Sequence, residues 1–290
     1  MSNFRGRLKR FMKRKNKIRT LINFFNSRHR NLFNKYNALY GISSSQRKFQ
    51  RDRDEYIKQC GSSEQFKYYK SNIYPCLEDY KQQAGSVDGH YFYQDIYAAN
   101  QVLKSGCRHI YDIGSRLDGY IAHLLSMDIK VTMIDVRPLD DKINGLDFIQ
   151  GDAMRLDKFI NQNSIDALSS LHATEHFGLG RYGDPVDYNG WRKALVNYKK
   201  ILKPGGMLFL SVPVGINDKL QFNAHRIFRP YTIANELMPE MQLLNFARIS
   251  HGIQEFDFKN INNIKSELDK ISDKYLSDYD CGMFIFQKLN

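Results

Sequence analysis

The sequence predicts an α/β fold: a mostly parallel sheet with an antiparallel last strand, covered by helices and preceded by a basic helical arm. Three observations carry this. Arg108 to Gly114 is a short apolar strand running into a glycine turn, and Tyr120 to Leu125 after it is helix-like. A second strand, Lys130 to Asp135, ends on an acid, and Asp112 and Asp135 stand 23 residues apart, the length of one strand–helix–strand unit. A third strand, Leu146 to Gln150, runs into Gly151-Asp152-Ala153. The chemistry suits these positions. Gly114 lets the backbone approach a ligand with no Cβ in the way. Asp135 can accept from both hydroxyls of a ribose, and Asp152 from an adenine amino group.

The rest of the chain falls into place around this unit. Residues 1–60 form the arm, 61–105 a cap and an entry helix, and 106–290 the sheet domain. Residues 1–40 hold 12 Lys and Arg and no acid, while the remaining 31 Lys and Arg balance all 31 Asp and Glu. The net charge of +12 therefore belongs to the arm. Phe4, Leu8, Phe11, Lys15, Ile18, Ile22, Phe25, His29, Leu32 and Tyr36 follow steps of four and three there, and all but Lys15 and His29 are apolar, so a basic amphipathic helix is expected. Its partner is an anionic membrane surface, a partner helix, nucleic acid, or the protein's own domain. Gln46 to Gln59 reads as a second helix, and residues 64–90 as an irregular, tyrosine-rich lid. Tyr91 to Leu103 is the entry helix, with His90, Tyr91, Tyr93 and Gln94 near the ligand side or simply packed. Ser164 to Leu171 is the fourth strand, Asp187 to Leu202 a helix and Met207 to Val214 the fifth strand. Leu243 to Ile249 and Gly282 to Lys288 are an antiparallel pair, separated by a polar helical insertion.

Composition excludes several classes. No apolar run approaches the roughly 20 residues of a membrane span. No secretory signal is visible at the N-terminus. Cys60, Cys76, Cys107 and Cys281 are scattered with no Cys-x-x-Cys pair, so neither a disulfide framework nor a cysteine zinc site is expected. A reducing cytoplasm is expected, with the arm at the inner membrane face.

From about residue 90 to 288 the chain resembles the class I S-adenosylmethionine-dependent methyltransferases, whose sheet is Rossmann-like. The residues that carry the likeness are Tyr111-Asp112-Ile113-Gly114-Ser115, Asp135, Gly151-Asp152-Ala153, Glu175-His176 and Leu202-Lys203-Pro204-Gly205-Gly206. The stretches Leu171 to Pro185 and Asn223-Ala224-His225-Arg226 resemble a smaller branch, a domain of unknown function associated with bacterial surface-polysaccharide genes. The resemblance implies S-adenosylmethionine as cofactor, held by Asp112, Gly114, Ser115, Arg116, Asp135, Asp152 and Ala153. It also implies a carbohydrate acceptor, in a surface glycan or its precursor. One departure stands out: the family's Gly-x-Gly-x-Gly loop keeps Gly114 and Gly119 here, while Arg116 and Asp118 occupy the positions between. Arg116 must point away from the cofactor or touch it. A methyltransferase-like interaction protein without activity is one alternative, and an RNA methyltransferase another. No Asn-Pro-Pro-Tyr or Asp-Pro-Pro-Tyr follows strand four, which weighs against nucleobase N-methylation.

His172-Ala173-Thr174-Glu175-His176 also fits the His-x-x-Glu-His pattern of some zinc peptidases. That chemistry needs both histidines on one helix face, and Phe177-Gly178-Leu179-Gly180 would break such a helix. Methyl transfer to a neutral hydroxyl needs in-line alignment and a base. His172, His176 and His225 are the candidate bases, Glu175 their orienting carboxylate. Asp184, Arg181, Arg226 and Arg229 are candidates for gripping the acceptor.

Overall fold

The computed structural model describes residues 43–61, 66–82, 87 and 89–290, and the arm expected over residues 1–40 lies outside them. The chain divides into two units, residues 1–86 and 87–290. In the first, helix α1 (Ser44–Cys60) is started by a capping box. Ser43 Oγ accepts from Gln46 N at 3.1 Å, and Gln46 Oε1 accepts from Ser43 N at 2.9 Å. Residues 66–82 hold two single 3-10 turns, Lys70–Asn72 and Asp79–Lys81.

The second unit contains an eight-stranded sheet of β1 (His109–Ile113), β2 (Lys130–Asp135), β3 (Leu146–Gln150), β4 (Ile165–Leu171), β5 (Leu202–Val214), β8 (Met241–Ile249), β9 (Ile253–Asp257) and β10 (Asp280–Lys288). Its order is β3-β2-β1-β4-β5-β10-β8-β9. Strands β3, β2, β1, β4 and β5 are parallel, and β10 lies antiparallel between β5 and β8. A short hairpin of β6 (Lys219–Gln221) and β7 (His225–Ile227) stands apart from it.

Period-two alternation divides the core between the two faces of the sheet. In β10, Phe284 and Phe286 join the cluster formed with α4 (Gly190–Ile201), α5 (Pro230–Leu237) and α6 (Ile264–Tyr275). Cys281, Met283 and Ile285 join the opposite cluster, formed with α2 (Tyr91–Lys104) and α3 (Ala122–Ser126). Trp191 is buried on the first face with its ring centroid 5.0 Å from that of Phe228.

Three expectations need correction. The helix after β1 opens as a π-turn over Leu117–Ile121 before α3, because Asp95 on α2 accepts from Tyr120 N at 3.1 Å. The fifth strand begins at Leu202 rather than Met207: Leu202-Lys203-Pro204-Gly205-Gly206 follows directly on α4 and forms the start of β5, with Leu202 paired to Ile165 and a register shift before Ala167. The polar insertion before β10 contains β9 as well as α6, so the sheet gains an eighth, antiparallel edge strand. Among the described residues, no helix is long and apolar enough to cross a membrane.

Candidate active site

The connections from β1 and β4 leave to opposite sides of the sheet, and this switch point opens a crevice at the carboxyl strand ends. A cleft of about 830 Å³ there is lined by Gly114, Ser115, Arg116, Arg137, His172, Glu175, His176, Arg181 and His225, with Tyr91, Tyr182 and Tyr279 as aromatic walls. A second, apolar slot beside it is bounded by Ile113, Gly114, Ile134, Asp135, Ala153 and Phe177.

The glycine loop shows why two glycines suffice. Gly114 has φ +72°, a left-handed conformation that a side chain resists, and an added Cβ would lie 3.2 Å from Ala173 Cβ. At Gly119 the need is space: an added Cβ would sit 2.3 Å from Asp95 Oδ2. Arg116 and Asp118 fork together in solvent, with Nε–Oδ1 at 3.0 Å and Nη2–Oδ2 at 2.7 Å. Their side chains are 83% and 68% exposed, so Arg116 edges the cleft without filling it. Asp112 differs from its expected cofactor role. It is fully buried behind the loop and accepts from Ser115 N, Ser115 Oγ and Ser169 Oγ at 3.1, 2.9 and 2.6 Å. It fastens the loop to β4, and burial pushes its carboxyl up to about 6.

Asp135 stands at the tip of β2 as expected, but its carboxylate is already engaged. Arg137 two residues on donates Nε to Oδ1 at 3.0 Å and Nη2 to Oδ2 at 2.6 Å. The Arg137 guanidinium also lies 4.9 Å from the ring of Tyr182, and Arg181 lies 5.1 Å from the same ring. Ala153 lines the apolar slot. Asp152 accepts from Met154 N at 2.8 Å and caps a 3-10 turn.

The segment after β4 is no zincin helix. His172 has φ +50°, and Thr174–His176 is a single 3-10 turn. Glu175 is 1% exposed, with Oε1 3.0 Å from His172 Nδ1 and 3.6 Å from His176 Nε2, while Oε2 is buried without a partner among the described residues. Burial alone would raise its carboxyl, but His172 and then His176 outweigh burial and hold it below the usual range. His176 Nδ1 lies 2.7 Å from Ala224 O, an acceptor only, so the proton is on Nδ1 and Nε2 carries the lone pair. Burial, against the pull of Glu175, keeps the His176 pKa below its ordinary value. His225 lines the cleft from β7 with its ring centroid 6.4 Å from His176, and burial lowers it too. His90 stacks on His172 at 4.5 Å, and burial, reinforced by His172, pushes it to about 4.

Two expected acceptor residues hold the loop together instead. Asp184 accepts from Gly178 N, Tyr182 N and Gly180 N at 2.8, 3.2 and 3.4 Å. Arg226 donates to Phe177 O, Glu175 O and Tyr188 O at 2.8, 3.2 and 3.4 Å. Arg229 pairs with Asp269 and Asp273 on α6. Arg181 does reach the cleft, donating to Ala224 O at 2.8 Å. Asp184→Ala is therefore expected to lower stability by about 1–3 kcal/mol, the scale of hydrogen bonds to a charged group. A thermal melt should show it, and an unchanged melt with a raised acceptor KM would return Asp184 to substrate binding.

Sequence reasoning missed Asp95, Arg137, Tyr182 and Tyr279. Arg137 had a signal, a cation two residues beyond the acid of β2. Tyr279 had none, since only the fold of β10 brings it to the cleft.

The strand order, the inserted antiparallel β10 and the glycine turn at the switch point define a Rossmann-like fold of the class I methyltransferase type. The chain belongs to the family described as Caenorhabditis protein of unknown function, DUF268, whose model matches residues 124–272. No curated protein matches it in sequence. Among solved structures, it is similar to 1,6-didemethyltoxoflavin-N1-methyltransferase of Burkholderia thailandensis, determined with 1,6-didemethyltoxoflavin and S-adenosylhomocysteine. The TM-score is 0.50 at 14% identity, covering 69% of this chain and 80% of that one. It is also similar to the N-methyltransferase NodS of Bradyrhizobium japonicum WM9 with S-adenosylhomocysteine, at TM-score 0.45 and 15% identity, over 68% of this chain and 87% of that one. At 14% identity the first of these likenesses speaks for the fold alone.

Proposed function

We propose that the protein is an S-adenosylmethionine-dependent O-methyltransferase whose acceptor is a carbohydrate hydroxyl, in a surface glycan or its precursor. The observation that carries this reading is His176, its Nδ1 2.7 Å from Ala224 O and its Nε2 3.6 Å from buried Glu175, in the same cleft as Gly114. The cofactor, when bound, supplies an activated methyl group. The residues present fit it: Gly114 opens the backbone, Ile113, Ile134, Ala153 and Phe177 make an apolar slot, and Asp135 stands at its edge as a ribose acceptor. Arg137 must release Asp135 for that contact to form.

The chain's own residues then have separate tasks. His176 takes the hydroxyl proton on Nε2, and Glu175 stabilises the imidazolium that results. Ala224 O keeps the tautomer in place through Nδ1. Tyr91, Tyr182 and Tyr279 offer aromatic faces to the apolar side of a sugar ring, and Arg181 favours an acceptor carrying a carboxylate or phosphate. The test is radiolabelled methyl transfer from S-adenosylmethionine to panels of neutral sugars, sugar acids and RNA. Label in the sugar fraction supports the reading, and label confined to RNA overturns it. A second reading, an interaction protein that binds the cofactor without activity, would show cofactor binding and no label in any panel.

Residues 1–40, by their charge and apolar period, are proposed to hold the enzyme on an anionic bilayer, where each cation adds about 1 kcal/mol. The full-length protein is expected to sediment with anionic vesicles at low salt, and a chain lacking residues 1–40 to stay in solution. Steep salt-dependent RNA binding without vesicle binding would replace the membrane by RNA.

A further inference from the structure

His90, His172 and Cys281 reach one spot from three distant parts of the chain: the start of α2, the end of β4 and the start of β10. One donor atom from each lies within 4.8 Å of the others. The Nε2 atoms of His90 and His172 are both buried with no hydrogen-bond partner among the described residues. Two orphaned imidazole nitrogens side by side are costly in a protein interior unless something is bound between them. The Cys281 thiol is fully buried and donates to Gln94 Oε1 at 3.4 Å, an oxygen that also accepts from Ser211 Oγ at 2.8 Å. His172 Nδ1 meets Glu175 Oε1 at 3.0 Å, which leaves Nε2 as the ring nitrogen free to take an ion. A carboxylate behind a histidine is the usual support of a metal-binding imidazole.

We propose that these three side chains form a binding site for a zinc-class divalent ion. Two imidazole nitrogens and one thiolate suit a borderline-soft ion and do not suit magnesium or calcium, which take oxygen donors. A tetrahedral zinc ion would draw the donors to separations of roughly 3.5 Å, from bond lengths near 2.0–2.1 Å to nitrogen and 2.3 Å to sulfur. Binding replaces the thiol proton, which leaves to solvent, with a sulfur–metal bond. Three protein donors leave one coordination position for a small molecule, the composition of catalytic rather than structural zinc sites. His172 and Gln94 also line the large cleft, so the site adjoins it. The site was invisible in the sequence because its three ligands share no local spacing.

The test uses the full chain, stripped with a chelator and titrated with Zn²⁺ and, separately, with Co²⁺. The expected result is one ion per chain and a sulfur-to-cobalt charge-transfer band in the Co²⁺ form. Cys281→Ser should remove that band, and His90→Gln should weaken Zn²⁺ binding by roughly tenfold or more. Circular dichroism of each variant shows whether it has folded. Substoichiometric binding to the folded wild-type chain, or a charge-transfer band that survives Cys281→Ser, would overturn the site. No cofactor or acceptor enters this experiment, so its outcome is independent of the methyltransferase reading.

Discussion

Asp135→Ala is expected to abolish measurable binding of S-adenosylmethionine while the protein melts as the wild type does. Two hydrogen bonds from ribose hydroxyls to an ionised carboxylate are worth about 1.5–3 kcal/mol each, so their loss weakens binding by roughly 10²–10⁴-fold. The fold should survive, because the group left without its partner is Arg137, whose side chain is half exposed and can turn to water. Arg137→Ala tests the same contact from the other side. Its guanidinium competes for both oxygens of Asp135, and a partly exposed ion pair costs the incoming ligand up to about 1 kcal/mol. The variant is expected to bind the cofactor roughly two- to fivefold more tightly. Isothermal titration checks both. Unchanged affinity in Asp135→Ala would move the cofactor away from the tip of β2. Weaker affinity in Arg137→Ala would mean that Arg137 is itself a ligand.

His176→Gln is expected to lower kcat by roughly 10²–10⁴-fold, the usual contribution of a general base, with cofactor affinity within about threefold of wild type. Glutamine keeps a donor for Ala224 O but cannot take up the proton. The pH profile adds a second measurement. Burial holds the His176 pKa below its ordinary value of about 6.5, so the basic form dominates at neutral pH. Activity should therefore hold as pH falls through neutrality and decline only below that ordinary value, as the ring charges. An acid limb centred above 6.5 would point to another group. Full activity in His176→Gln would move the base to His225, whose Nε2 is also buried without a partner.

What the sequence determined by itself was the frame and the order of its parts. Strand length, the apolar period and the Asp112-to-Asp135 distance are local quantities, and they placed β1, β2 and β3 and their carboxyl ends. Glycine and acid at those ends located the cleft, because a strand must stop where a glycine turns it. The choice of partners was decided only by tertiary structure. Asp112 and Asp184 looked like ligands in sequence, yet one is buried against Ser169, 57 residues away, and the other binds the backbone of its own loop. A carboxylate's type says that it will accept hydrogen bonds, and only packing decides whether a ligand or the chain donates them. Arg116 likewise looked obstructive in the glycine loop, until the extended backbone at that position turned it to solvent and to Asp118. The meeting of His90, His172 and Cys281 lay furthest from the sequence, since it requires α2, β4 and β10 to converge across nearly 200 residues of chain. Contacts at such separation follow from the closure of the sheet, which no local pattern encodes.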